Sequence, residues 1–217
     1  MTPKGGIRPH DKFSISAKRS EVLFVDYIME HLNINGRAGV IVPEGIVFQT
    51  GNAYKNLRKN LVENNYVWAV VSLPAGVFNP YSGVKTSILL MDKEIANKTD
   101  NILFVKMNND GYDLGAQRRE IIGSDIPQIT RLLNKYKESI IINETYEFND
   151  YESELTLTAN KEEIKSQQYI LVGEKYREKE MHKEVKYPIY ELGELCLIKS
   201  GGTPSRNEKK YWEKGSI

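Results

Sequence analysis

Between Ser20 and Leu73 the apolar residues switch twice between helical spacing and short continuous runs, and this alternation limits the fold more than any other feature of the chain. In "SEVLFVDYIMEHLNING", Phe24, Ile28 and Leu32 recur at i, i+4 and i+8, with Val25 and Met29 beside them. The spacing predicts a helix of three to four turns, opened by Ser20 as N-cap and closed by Asn35-Gly36. "AGVIVP" is too short for a helix and suits a parallel strand covered on both faces. After the loop "EGIVFQTGN", "AYKNLRKNLVENN" places Tyr54, Leu57 and Leu61 on one helical face with basic residues opposite, and "YVWAVVSL" is a second buried strand. Helix, strand, helix, strand is the pattern of a parallel α/β sheet, whose ligands sit beyond the carboxyl ends of the strands. The loops after Val42 and Leu73 meet at that edge, with the N-terminal loop joining them if a strand precedes it.

The strand "VKTSILLMDK" follows with no helix between, so it must run antiparallel to its predecessor. The sheet members expected are residues 38–42, 67–73 and 84–92. "NILFVKM" reads as another strand, "DGYDLGAQRR" as a turn-rich connector and "IPQITRLLNKYKES" as a helix with a basic outer side. Beyond about residue 143 the chain becomes polar and charged, with scattered aromatics, and reads as a connector with some helix. "YPIYELGELCLIKSGGTPSRNEKKYWEKGSI" then begins a new unit with a strand through "ELCLIKS".

A formal net charge of +1 gives no whole-chain argument for or against nucleic acid. The single cysteine, Cys196, makes no internal disulfide and reads as a core or filler residue, in keeping with a reducing, cytoplasmic setting. No apolar run is long enough to span a bilayer, and "MTPKGGIRPH" lacks the apolar core of a signal peptide, so no membrane partner is expected. There is no P-loop, no GxGxxG after a strand and no metal-ligand spacing; His10, His31 and His182 fall in separate segments.

The most informative stretch is the loop "PAGVFNPYSGVKT". Phe78 and Tyr81 lie between the carboxyl end of one strand and the start of the next, where aromatic rings can stack on an extruded base. Asn79, Ser82 and the loop amides can bond phosphate, and Lys85 can neutralise it. A tight turn that buries its own aromatics explains the loop equally well. Phe24 has two readings as well, ordinary core packing or one wall of a pocket for a flat ring.

Three segments, "KRSEVLFVDYIMEHLNINGRAGVIVPEGIVFQ", "LRKNLVENNYVWAVVSLPAGVFNPYSGVKTSILLMDK" and "DGYDLGAQRREI", resemble in this order the modification subunit of type I restriction-modification systems, an N6-adenine DNA methyltransferase. The C-terminal strand, SGGTPS and YW pattern is similar to the opening of a target recognition domain of a specificity subunit. The resemblance implies the C-terminal half of a Rossmann-like methyltransferase sheet over residues 1–142, a connector over 143–186 and the beginning of a target recognition domain over 187–217. It implies S-adenosyl-L-methionine as cofactor and duplex DNA as substrate. Specificity and restriction subunits are the implied partners, with another methyltransferase subunit as a further one.

In that family the adenine is flipped from the duplex, and its N6 attacks the cofactor's methyl group while an Asn-Pro-Pro-aromatic tetrapeptide accepts the amine hydrogens. Neither that tetrapeptide nor the Gly-rich cofactor turn occurs among these 217 residues. The expectation is therefore of a chain that begins just after the tetrapeptide, ends inside the recognition domain and is marginally stable and catalytically silent alone. By the same resemblance Phe78 packs on the flipped adenine and Phe24 lies near the cofactor's adenine, with Tyr81, Lys85 and Thr86 as weaker candidates for DNA contact. Two other readings stand beside this one: a non-catalytic DNA-binding or assembly module of a restriction-modification complex, and an RNA or protein methyltransferase on a similar half-sheet.

Overall fold

A computed structural model describes residues 13–177, Tyr190 and residues 192–199. The chain divides into two compact units, Met1–Arg177 and Glu178–Ile217. In the first, α1 (Ser20–His31) leads through a short turn into β1 (Arg37–Pro43), then α2 (Glu44–Phe48), α3 (Asn52–Glu63) and β2 (Val67–Ser72). There follow β3 (Thr86–Asp92), α4 (Lys93–Asn97), β4 (Asn101–Lys106), α5 (Ile126–Ile142), α6 (Asp150–Leu155), β5 (Thr156–Asn160) and α7 (Lys161–Ser166), and a 3-10 turn at Gly173–Lys175. The second unit contributes the four-residue α8 (Leu192–Leu195).

The strands form one five-stranded sheet in the order β1-β3-β2-β4-β5. β2 and β4 pair parallel, whereas β3 is antiparallel to both β1 and β2, and β5 is antiparallel to β4. The fold is thus mixed α/β, with β1, β2 and β4 pointing the same way and β3 returning between the first two. Helices cover both faces. Val42, Val70, Leu89, Ile102 and Phe104 pack with α1, α2, α3 and α7 on one side. Ala69, Val71, Leu103 and Val105 pack with α4 and α5 on the other.

Several sequence-based expectations change. β1 is an edge strand in which only Val42 is buried, because the layer built from α4 and α5 covers β2 and β4 but leaves Ile41 53 % exposed. It is therefore not covered on both faces. The stripe of α1 is also rotated: Val22, Leu23, Val25, Asp26 and Met29 are buried, and Phe24 is half-exposed. Ser20 does not cap this helix; Arg19 holds the N-cap position without a side-chain bond, and the helix ends before Asn35-Gly36. The stretch read as a loop after Pro43 begins with α2.

On α3 the Tyr54, Leu57 and Leu61 face is buried as expected, but so is Arg58. Of residues 143–186, read as a connector with some helix, the described part to 177 supplies two helices, and also the closing strand of the sheet. Asn149 and Glu152 make a capping box at the start of α6, and Gly173 approaches Phe104 so closely that a Cβ there would lie 2.8 Å from the phenylalanine Cβ. The "ELCLIKS" strand is not formed. Leu192–Leu195 is helical and Cys196 is exposed, so it is no core cysteine. His10, His182 and the SGGTPS and YW motifs lie outside the described residues. Among those residues, no helix is long and apolar enough to cross a membrane.

Candidate functional site at the carboxyl edge of the sheet

Because β1, β2 and β4 share a direction, Pro43, Ser72 and Lys106 end at one edge, with Thr86 opening β3 between them. The edge is held by backbone bonds: Leu73 N donates to the Thr86 carbonyl at 3.1 Å, Glu44 N to Lys85 O at 2.9 Å, and Met107 N to Ser72 O at 2.9 Å. The loop from Leu73 to Lys85 is therefore anchored at both ends.

Inside this loop Val77 turns to the core and packs against the α4/α5 side. Phe78 is left 36 % exposed and Tyr81 95 % exposed. The loop is internally bonded, with the Phe78 carbonyl accepting from Tyr81 N at 2.9 Å and Ser82 N at 3.0 Å, but it does not bury its aromatic rings. Lys85 is engaged: its Nζ lies 2.8 Å from Glu44 Oε1. Thr86 Oγ1 is buried and has no hydrogen-bond partner. This is the kind of orphan group that buried sites seldom leave unexplained.

The aromatic loop also reaches the segment after β4. Asn79 Nδ2 donates to Leu114 O at 2.8 Å. That segment, from Met107 to Asp125, is organised by polar contacts. Arg118 pairs with Asp110 and donates through Nη1 to the Asp113 carbonyl at 2.9 Å. Asp125 Oδ2 accepts from Asn108 N and Asn109 N, both at 2.8 Å. Composition alone marked it as turn-rich; the Asp, Asn and Arg side chains that bond it together were not foreseen.

Phe24 stands on α1, in a separate apolar cavity of about 210 Å³ lined by Phe13, Ser20, Leu23, Phe24 and Tyr27. Tyr27 also stacks on His31, with ring centroids 4.0 Å apart. The chain entering α1 is fixed by Asp26, a carboxylate 1 % exposed, which accepts from Ser14 N at 2.9 Å, from the Ser14 hydroxyl and from Ile15 N at 3.3 Å. These bonds bring Phe13 to the pocket. Asp26 escaped the sequence reading because a charge inside an apolar stripe is ordinarily solvated.

The cavity offers aromatic faces of Phe13, Phe24 and Tyr27 on which a flat ring such as an adenine could stack, and its polar side-chain groups are the Ser20 and Tyr27 hydroxyls. Among the described residues that line it, none carries a charge to meet the amino-acid end of S-adenosylmethionine. Among the described residues no group of three or more His, Cys, Asp or Glu is placed to hold a metal ion.

A mixed α/β sheet with helices on both faces, and bonded loops gathered at the carboxyl ends of β1, β2 and β4, has the layout of an open, ligand-binding α/β sheet. The N-6 DNA Methylase family profile matches residues 8–185, and the chain belongs to that family. It is 38 % identical over 92 residues to the type I restriction enzyme EcoEI methylase subunit of Escherichia coli, covering 42 % of this chain and 19 % of that protein. It is 26 % identical over 166 residues to the MpnII methylase subunit of Mycoplasma pneumoniae, covering 76 % of this chain and 27 % of that protein. The chain thus spans about a fifth to a quarter of the curated relatives it matches.

Two solved structures share the fold. The type I restriction-modification methyltransferase subunit from Streptococcus thermophilus aligns with a TM-score of 0.54 at 24 % identity, over 75 % of this chain and 31 % of that one. A chain from a study of complex assembly and conformational transition in the type I restriction-modification system gives 0.55 at 24 % identity, over 77 % and 35 %.

Proposed function

We propose that this chain is part of an adenine-specific DNA methyltransferase of a type I restriction-modification system, and that it supplies the surface receiving the flipped adenine. The observation that carries the reading is the placement of Phe78. In an N-6 DNA methylase, an aromatic ring stands partly exposed at the carboxyl edge of the sheet, on a loop fastened at both ends. A ring so placed offers a π-face to any base leaving the duplex, and such stacking is worth about 1–3 kcal/mol per base. Tyr81, further out on the same loop, is positioned for the flanking strand. Lys85 reaches phosphate only by giving up Glu44, and the orphan Thr86 hydroxyl is a donor at the floor of the edge.

S-adenosylmethionine, when bound, supplies the methyl group. Phe24, with Phe13 and Tyr27, would hold its adenine ring. The 217 residues contain no Asn-Pro-Pro-aromatic run, so in this reading the acceptors for the adenine amine come from outside them. Accepting those hydrogens matters as the new bond forms, which is where interactions raise rate. The purified chain is accordingly inactive by itself. Duplex DNA, the specificity and restriction subunits and another methyltransferase subunit are the proposed partners, and residues 187–217 the proposed start of a target recognition domain.

The test is transfer of labelled methyl from S-adenosylmethionine to unmethylated duplex DNA. The assembly reconstituted with this chain should turn over, and its Phe78→Ala variant should lose about ten- to a hundredfold in rate, the equivalent of one base stack. An unimpaired variant removes Phe78 from the site. Robust turnover by the purified chain alone refutes the division of the reacting groups. Salt-dependent duplex binding without cofactor binding or turnover in any assembly favours a non-catalytic DNA-binding or assembly module.

A further inference from the structure

We propose that Asn79 is a positioning residue whose side-chain amide clamps the β2–β3 loop to the β4–α5 loop, so that the second loop sets the direction of the Phe78 ring. The proposal rests on the base-stacking reading of Phe78 and adds the device that aims it.

Three observations carry it. Asn79 Nδ2 lies 2.8 Å from Leu114 O, 35 residues later in sequence. A backbone carbonyl can only accept, so the amide NH₂ must face it and the side-chain orientation is fixed. The path of that amide is kept open by Gly76, at φ +86°, where an added Cβ would stand 2.9 Å from Asn79 Nδ2 and 3.7 Å from Leu114 O. Any L side chain at Gly76 would be strained in its backbone and would press on the clamp.

The third observation is the stiffness of the far loop. Besides the Arg118–Asp110 pair, Asp113 N donates to Arg119 O at 2.8 Å, and Asp113 Oδ1 accepts from Gly115 N at 3.0 Å and Arg119 N at 3.2 Å. The Arg118 guanidinium also lies over the Tyr112 ring, 5.4 Å from its centroid. Apolar burial does not order this segment: Leu114 is 53 % exposed and Ile122 fully so. A polar network of this kind, once complete, is rigid. Leu114 presents its carbonyl from within it, and Phe78 precedes the residue that grips that carbonyl.

Two measurements test the clamp. In the full 217-residue chain, amide hydrogen exchange at Tyr81 and Ser82 should quicken roughly tenfold in Asn79→Ala, with the β2 and β3 amides unchanged. Leu114→Ala keeps the carbonyl and should behave as the parent. In the reconstituted assembly, acting on PCR-amplified and therefore unmethylated genomic duplex, Asn79→Ala should lower kcat at least roughly tenfold and leave KM for DNA unchanged. Gly76→Ala, with Asn79 intact, should give the same pattern. Unchanged exchange or unchanged kcat in Asn79→Ala overturns the clamp, as does a loss confined to KM, which would mean that Asn79 touches DNA. If Phe78→Ala is impaired and Asn79→Ala is not, the clamp alone falls. If Phe78→Ala is unimpaired, the stacking reading falls and the clamp with it.

Discussion

Arg58 Nε lies 2.7 Å from the carbonyl oxygen of Tyr169, a residue 111 positions further along the chain. The same guanidinium donates through Nη1 to Ile46 O at 3.0 Å, and it is 1 % exposed. Burial lowers its pKa to about 10. One buried cation thus ties α2, α3 and the segment after α7 together through neutral carbonyls. Arg58→Ala strands both carbonyls and should cost about 3 kcal/mol, read as a lower urea midpoint for the purified chain.

Tyr169 gives a pH signature. Burial, reinforced by its hydroxyl donating to Glu63 at 2.5 Å, pushes its pKa up to about 12 from an ordinary 10.0. Between those two values the unfolded chain sheds the proton and the folded chain keeps it, so stability falls as pH rises through this window. Below pH 10 the contribution is fully present. Arg58 and Lys161 are shifted down by burial and act in the opposite sense. Tyr169→Phe should therefore flatten the alkaline decline in unfolding free energy relative to the parent, in denaturant titrations run from neutral pH upward. A parallel curve for the variant would contradict this.

Asp92, at the end of β3, is 3 % exposed, lies 2.8 Å from Lys137 Nζ and 3.2 Å from Arg37 Nε, and caps α4 through Ile95 N. It therefore joins an edge strand, a central strand and two helices. Asp92→Asn removes the charge that Lys137 is buried against and should lower stability by about 3 kcal/mol. Calorimetry of the purified variant should show the lower Tm.

The sheet's central members were legible because their signal is local. "VWAVVS" and "ILFV" are continuous apolar runs of the kind that doubly covered strands carry, and the helix-free connection into Thr86 makes β3 reverse. The edge was not legible, because whether Ile41 is covered depends on how far α4 and α5 extend, which no local pattern records. β5 was hidden for a related reason: "TLTAN" is weakly apolar and becomes a strand by pairing with β4. At the site, Phe78 stood out as an aromatic among turn formers. Asn79 was legible only as a phosphate donor and Asp26 not at all, because a polar residue in a loop or a lone charge on a helix gives no sign of the distant atom it will meet.

The Phe24 cavity makes a separate forecast. If it accepts the adenine of S-adenosylmethionine, Phe24→Ala should raise KM for the cofactor roughly tenfold with kcat little changed, since the ring contributes binding shared by ground and transition states. Methyl-transfer kinetics at varied cofactor concentration in the reconstituted assembly decide this, and an unchanged KM would place the cofactor elsewhere.

The exposed edge strand has a practical outcome. Among the described residues β1 has a strand neighbour on one side only, and Ile41 beside its open edge is 53 % exposed, an invitation to strand-to-strand association. Ile41→Lys should raise the soluble, monomeric yield of the isolated chain in light scattering without lowering its unfolding midpoint, because the side chain is more than half exposed.

β3 has a hydrogen-bonded neighbour on each side, and the aromatic loop feeds directly into it. A flap mounted on the middle plank of a floor has little room to swing. If Phe78 receives a base as proposed, it does so chiefly by turning its ring in place, leaving the nucleotide to make the journey.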